Sequence, residues 1–358
     1  MEPCAPSEFP PLGDDWASCY KAAKQVLASE AQPRFAALRL LEKLSGFPLR
    51  RLQAGLQQKL PEGTGRRLQA LLRRYQHDEP LAYLLGETDF WGLRIKVGPG
   101  VLIPRPDSET LVRVVLDWLR SERTSTVRGL DVCTGSACLS LALLHETAAN
   151  AARLLPELRL SATDISEKAL AYARKNRERI LPGEREEELL KLYRADLWPD
   201  CGPGPEPGSA EAESSLSDDS GSPGAVGVYD FLISNPPYVS PEAYGALENS
   251  VRGYEPREAL YAEEGGLLFY RRILDEGGRY LRPGAPAFLE HGADQALAVR
   301  GLLRNARAWS YERCVKDYAG RDRVTQIRYL GSPGAASGRR GDGEGCEQNH
   351  DCKDRLGQ

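Results

Sequence analysis

The 358-residue chain has no Cys-x-x-Cys pair, and none of its four histidines stands at metal-ligand spacing. Its eight cysteines (4, 19, 133, 138, 201, 314, 346 and 352) are scattered, which argues against a zinc site or a disulfide framework and predicts reduced thiols. No apolar run approaches the roughly 18 residues of a spanning helix, so a soluble chain without membrane contact is expected. Residues 1–15 are acidic and proline-rich, unlike a secretory signal or an arginine-rich presequence, and the expected compartment is the cytoplasm. Neither sign of charge dominates either, with 47 Lys and Arg against 51 Asp and Glu. The net charge is -4, and setting aside the five acids of 201–227 leaves a slightly positive remainder, so no broad nucleic-acid-binding surface is indicated. A Gly-Lys-Ser/Thr phosphate loop, a triple-glycine pyrophosphate turn and internal repeats are also missing.

What is present falls into two kinds of pattern. Residues 16–85 carry helical apolar spacing, as in Phe35, Leu38, Leu41 and Leu44 and again in Leu68, Leu71, Leu72 and Tyr75, with Pro33 and Pro61 at helix starts. This predicts a small helical domain over 1–85. Thr88 to Val97 reads as a short hairpin and Ile103-Pro104-Arg105-Pro106 as a rigid connector, giving a linker over 86–109. From 110 to 330 strands and helices alternate. Helices are expected at 110–120, 136–147, 166–180, 264–279 and 292–304. Strands are expected at 128–133, 158–163, 190–194, 228–234, 285–290, 311–316 and 323–330. The fold class is α/β, a doubly wound, Rossmann-like sheet whose last strand runs antiparallel because it follows its predecessor so closely. The Gly-, Pro-, Ser- and acid-rich stretches 201–227 and 331–358 have too little apolar surface to offset ordering entropy and are expected to be disordered.

Three successive strand ends carry ligand chemistry. Asp131-Val132-Cys133-Thr134-Gly135-Ser136-Ala137 leaves the first strand and opens a helix, offering backbone N–H groups at the carboxyl edge. Asp164 ends the second strand, with Ser166 as the competing helix cap, so its carboxylate is expected to be free for a ribose diol. Asp196, with Leu197 beside it, follows the third strand and suits an adenine amino group. Adenosine recognition without a diphosphate site favours S-adenosylmethionine over NAD.

The fourth strand stops at Asn235-Pro236-Pro237-Tyr238, where two prolines hold the flanking side chains on a stiff turn. The Asn235 oxygen and the Pro236 carbonyl can each accept one hydrogen of a planar NH₂ group while Tyr238 covers its face. That predicts methyl transfer to an amide or amine nitrogen, driven mainly by positioning.

The tetrad resembles motif IV of the amino-methyltransferases. Taken with Pro80 to Glu87, Asp89 to Leu93, Gly100 to Glu109, Tyr254 to Leu260, Gly265-Gly266, Leu289-Glu290-His291-Gly292 and Lys316 to Arg323, the chain resembles the peptide chain release factor glutamine methyltransferases over roughly 16–330. The resemblance implies a helical domain that docks a class-1 release factor and a catalytic domain that methylates N5 of the glutamine in the factor's Gly-Gly-Gln loop. It places Arg105 in a loop covering the cofactor, Asp131 to Ala137, Asp164, Asp196 and Leu197 in the pocket, and Asn235 to Tyr238 on the glutamine. A monomer that does not bind nucleic acid directly is expected. A glutamine of a ribosomal protein and a nucleic-acid amino group remain as alternative acceptors, and a silent binding module as an alternative class. Cys133 and Ala137 stand where the family usually has glycine, so the Ala137 methyl is expected to crowd the cofactor. His291 replaces a common isoleucine and is given no chemistry.

Overall fold

Apolar spacing at three and four residues produces, among the described residues of the first part of the chain, the helices α1 (Trp16–Val26), α2 (Pro33–Ser45), α3 (Leu49–Ala54), α4 (Thr64–Gln76) and α5 (Leu81–Leu85). The computed structural model describes residues 11–54, 59–122, 124–149, 155–181, 183, 185–199 and 229–331, so the stretches 201–227 and, beyond Gly331, 332–358 lie outside it. Asp15 caps α1 by accepting from Ser18 N at 2.8 Å, and Pro33 opens α2 at a position that needs no N–H. Leu38, Leu41, Leu68 and Leu72 are buried in one helical core, but Phe35 is exposed while Arg39, one turn along, is buried. The expectation for Phe35 therefore fails. Arg39 takes the inward position because Glu42, Glu87 and Asp89 surround its guanidinium, at 3.4, 2.7 and 3.0 Å.

The hairpin is β1 (Glu87–Phe90) with β2 (Leu93–Lys96), joined by Trp91 and Gly92, both at positive φ, the signature of a type I′ turn. Beyond it lie α6 (Glu109–Leu119), β3 (Thr126–Val132), α7 (Cys138–Ala149), β4 (Glu157–Asp164), α8 (Glu167–Ile180), α9 (Glu186–Leu189) and β5 (Leu190–Arg194). Then follow β6 (Phe231–Ser234), α10 (Leu268–Glu276), β7 (Pro286–Glu290), α11 (Ala296–Leu302), β8 (Trp309–Lys316) and β9 (Asp322–Tyr329). The sheet order is β5-β4-β3-β6-β7-β9-β8. The strands are parallel except β9, which runs antiparallel to both β7 and β8, as expected of the last strand.

Alternation along β6 builds both layers. Phe231 and Ile233 enter a core with α6, α7 and α8 residues, while Leu232 enters another with Tyr270 of α10 and Val299 of α11. Helices thus cover both faces of a doubly wound sheet. Gly129 is required in β3 because a Cβ there would come within 2.3 Å of the Phe231 ring. Two expected helices are shorter. The 264–279 helix breaks where Glu264 and Gly265 adopt left-handed φ, leaving α10, and 292–295 forms a turn before α11. Chain order reverses between β3 and β6, so the crevice opens at their carboxyl ends.

Candidate functional site

A cavity of about 370 Å³ lies at that edge, within the roughly 300–1,000 Å³ of small-molecule sites. Among the residues that line it are Arg105, Cys133, Thr134, Gly135, Ser136, Asp164, Asp196, Leu197, Asn235 and Pro237, all of which the sequence singles out as candidates for cofactor or substrate. Asp131 and Ala137 do not line it.

The loop after β3 explains both exceptions. Cys133, Gly135 and Ala137 all take left-handed φ, at 61°, 58° and 62°. The loop is pinned by Thr134 N to Thr163 O at 2.9 Å and by Gly135 N to Asp164 Oδ2 at 2.8 Å. Asp131 is fully buried beneath the loop, where Oδ2 accepts from Thr134 Oγ1 at 2.7 Å and Ser140 Oγ at 2.6 Å. Burial raises its carboxyl to about 6 against the pull of those two hydroxyls. Asp131 braces the loop instead of facing the cavity. The Ala137 methyl packs in the core with α7, so it does not crowd the cavity, and its cost is backbone strain, about 1–2 kcal/mol for a left-handed alanine. Cys133 is strained in the same way. Burial pushes its thiol well up, which makes it an apolar packing group.

Asp164 is not free, contrary to expectation. Its Oδ2 holds Gly135 N and its Oδ1 holds Ser166 N, each at 2.8 Å, while Ser166 caps α8 through Ala169 N. Burial still raises this carboxyl, with the two backbone donors opposing. Each oxygen keeps further acceptor capacity toward the cavity. Asp196 pairs with Arg272 Nη1 of α10 at 2.8 Å, a wall residue that the sequence did not single out. Ile165 is 56% exposed and lines the same cavity, and with Leu197 it gives a planar ring apolar surface.

The roof is the segment 100–105. Glu255, 1% exposed in its side chain, accepts from Ile103 N at 3.0 Å and Arg105 Nη2 at 2.5 Å, and Tyr83 Oη donates to Val101 O at 2.6 Å. Asn176, buried in α8, donates to Ser136 O and also exchanges hydrogen bonds with Lys96, tying the hairpin to the loop. These ties join residues 80 or more positions apart in some cases, so no local pattern announces them.

At the far end, Asn235 Nδ2 donates to Ser108 Oγ at 3.2 Å, and Asn235 Oδ1 has no partner among the described residues. Pro236 is buried and does not line the cavity. Tyr238 packs into the second core, and its carbonyl accepts from Gln295 Nε2 at 2.9 Å. A Cβ on Gly266 would lie 2.2 Å from that carbonyl, so only glycine permits the approach. Burial raises the Tyr238 hydroxyl to about 12, so it remains a donor. His291 is buried, with Nδ1 donating to Gly292 O and Nε2 accepting from Thr325 Oγ1, which agrees with a structural part.

Open acceptors at one end, carboxylates and apolar walls at the other, suit an adenosine-bearing methyl donor and an NH₂ acceptor. Residues 18–86 match the PrmC N-terminal domain family. The chain is 33% identical over 310 residues to the release factor glutamine methyltransferase of Salmonella typhimurium, covering 87% of this chain and 97% of that one. With its namesake from Moorella thermoacetica it shares 36% over 305 residues, covering 85% and 94%. A crystal structure of a release factor-specific protein-(glutamine-N5) methyltransferase from Alicyclobacillus acidocaldarius is 27% identical, with a TM-score of 0.34 over 66% of this chain and 99% of that one. Identity at this level along nearly the whole of two such relatives means that this chain belongs to the release factor glutamine methyltransferase family.

Proposed function

We propose that the chain transfers a methyl group from S-adenosylmethionine to N5 of the glutamine in the Gly-Gly-Gln loop of class-1 peptide chain release factors. The observation that carries this reading is Asn235 at the end of β6, its Oδ1 unpartnered at the edge of a cavity whose other walls include Asp164 and Asp196. S-adenosylmethionine supplies an electrophilic methyl on a sulfonium. Asp164 and Asp196 offer acceptors for ribose hydroxyls and an adenine amino group, and Leu197 and Ile165 offer apolar surface to the ring. Gly135 and Ser136 bring backbone close to the ligand, with Arg105 in the roof.

An amide nitrogen is a weak nucleophile because its lone pair is delocalised. Asn235 Oδ1, at the cavity edge, accepts one of its hydrogens, localises negative potential on nitrogen and fixes its direction, and the stiff Pro236-Pro237 turn behind it holds that oxygen in place. Positioning of this kind contributes about 7–11 kcal/mol; the C–N bond would form as the methyl–sulfur bond breaks, leaving a neutral thioether, and the proton then leaves to water. No helix among the described residues is long and apolar enough to cross a membrane. In this reading residues 1–85 dock the factor, 86–109 link, and 110–330 catalyse, in a monomer that does not bind nucleic acid directly.

The test offers labelled S-adenosylmethionine to the protein together with purified release factor, ribosomal proteins and RNA. Label on the release factor is the expected result. Label confined to a ribosomal protein or RNA would replace the substrate, and no cofactor binding by calorimetry would remove the enzyme reading altogether.

A further inference from the structure

Asn235 owes its orientation to groups far away in the chain. Ser108 closes the turn Pro106–Ser108 ahead of α6, and its Oγ lies 3.2 Å from Asn235 Nδ2 and 3.0 Å from Glu290 Oε1. Glu290 ends β7, where Leu289 is level with Ser234, so the next residue outward on each strand is Glu290 beside Asn235. Ser108 and Glu290 are 2% and 1% exposed, and Glu290 Oε2 is buried without a partner among the described residues.

Hydrogen-bond chemistry gives this chain a direction. A carboxylate only accepts, so Ser108 must donate to Glu290, and its oxygen is left to receive a donor. The end of the Asn235 amide that donates is its NH₂, which leaves Oδ1 for the cavity. A flipped amide would set its NH₂ against the NH₂ of the incoming glutamine, two donors with nothing between them.

We infer that Ser108 and Glu290 are positioning residues for methyl transfer, a carboxylate–hydroxyl–amide chain that turns Asn235 Oδ1 toward the acceptor nitrogen. This rests on the glutamine reading above and adds to it a requirement for ionised Glu290. Protonated Glu290 can donate to Ser108, whose hydroxyl then donates onward to an amide oxygen, and the chain reverses. The groups facing Glu290 are Arg323 on β9, Asp107 beside Ser108, Tyr238 after β6, Cys138 on α7 and Tyr270 on α10, whose hydroxyl donates to the Glu290 carbonyl at 2.7 Å. Burial pushes the Glu290 carboxyl up to about 7; Ser108, Arg323 and the Asn235 amide oppose this and Asp107 adds to it. The two polarities therefore exchange near neutral pH.

The experiment measures kcat and KM from about pH 6 to 9 for the wild type, Ser108→Ala, Ser108→Thr and Glu290→Gln, with tritiated S-adenosylmethionine and a purified class-1 release factor. Cofactor affinity is followed by calorimetry. Ser108→Ala should lose about 100-fold in kcat while KM and cofactor affinity stay within about threefold, and Ser108→Thr should recover most of the loss. Wild-type kcat should rise with pH through about 7, and Glu290→Gln should lack that rise. Ser108→Ala within about threefold of wild-type kcat, an equal weakening of cofactor binding, or a preserved pH rise in Glu290→Gln would each overturn the inference. If the wild type labels no release factor, the glutamine reading falls and this inference with it. A fully active wild type beside an unaffected Ser108→Ala removes the positioning role alone.

Discussion

Two carboxylates act on this fold in opposite ways. Glu87, at the junction of the helical region with the sheet, meets Arg39 of α2 at 2.7 Å, Lys96 of β2 at 2.8 Å and Arg179 of α8 at 3.0 Å. Burial acts to raise its carboxyl, but Lys96 and Arg179 outweigh it and hold the group down at about 2. Glu290, beside the cavity, is more deeply buried and touches a hydroxyl and an amide, with Arg323 acting on it as an opposing charge, and it is pushed up to about 7. Cations neutralise the junction and fix three elements in place. The site leaves its acid poorly compensated, which destabilises the fold but gives Asn235 a defined direction.

The largest effect that sharpens this contrast is Asn235→Ala. It should lower kcat about 10²–10³-fold and leave cofactor affinity within about threefold, read from single-turnover rates and calorimetry; equal losses in both would mean that Asn235 holds the cofactor instead. Next comes stability against pH. Because the folded Glu290 carboxyl lies above its ordinary 4.5, its contribution is full below about 4.5 and is lost as pH rises through about 7. Glu290→Gln should therefore gain on the wild type between pH 5 and 8, by on the order of 3 kcal/mol, in denaturant melts at the two pH values.

Glu87 has the opposite sign. Its folded carboxyl lies below 4.5, so its contribution is present above about 4.5 and lost as pH falls through about 2. Glu87→Ala should cost roughly 2–3 kcal/mol at neutral pH, somewhat below the usual 3–5 for a broken buried pair, since Glu42 and Asp89 still face Arg39. A wild-type-like melt for Glu87→Ala would show the junction to be held by packing alone. The smallest effect belongs to Ala137→Gly. Relief of left-handed strain and loss of a buried methyl nearly cancel, so stability should move by less than about 1 kcal/mol and cofactor affinity by less than about threefold.

Much of the frame was legible because it is written locally. The paired prolines stop β6 and place Asn235 at the sheet edge, and apolar alternation locates the central strands. Other features depend on distant partners. Asp131 and Asp164 look alike as strand-end acids, yet one lies under the loop with Thr134 and Ser140 and the other lines the cavity, a difference set by how the loop folds back. Phe35 yields the inward place expected of it to Arg39 because three carboxylates gather around Arg39, two of them from the hairpin. Ser108 and Glu290 are 182 residues apart, and only the sheet brings them together. Left-handed φ at Cys133 and Ala137 was not legible either, because neither residue is the glycine that this conformation favours.

The central claim is that the amide nitrogen presented to Asn235 is the one that receives the methyl group. Fragmentation mass spectrometry of a class-1 release factor after incubation with the protein and S-adenosylmethionine tests this most directly. One methyl on the side-chain nitrogen of the Gly-Gly-Gln glutamine is the expected result. A methyl on any other residue, or on the backbone of that loop, would contradict it.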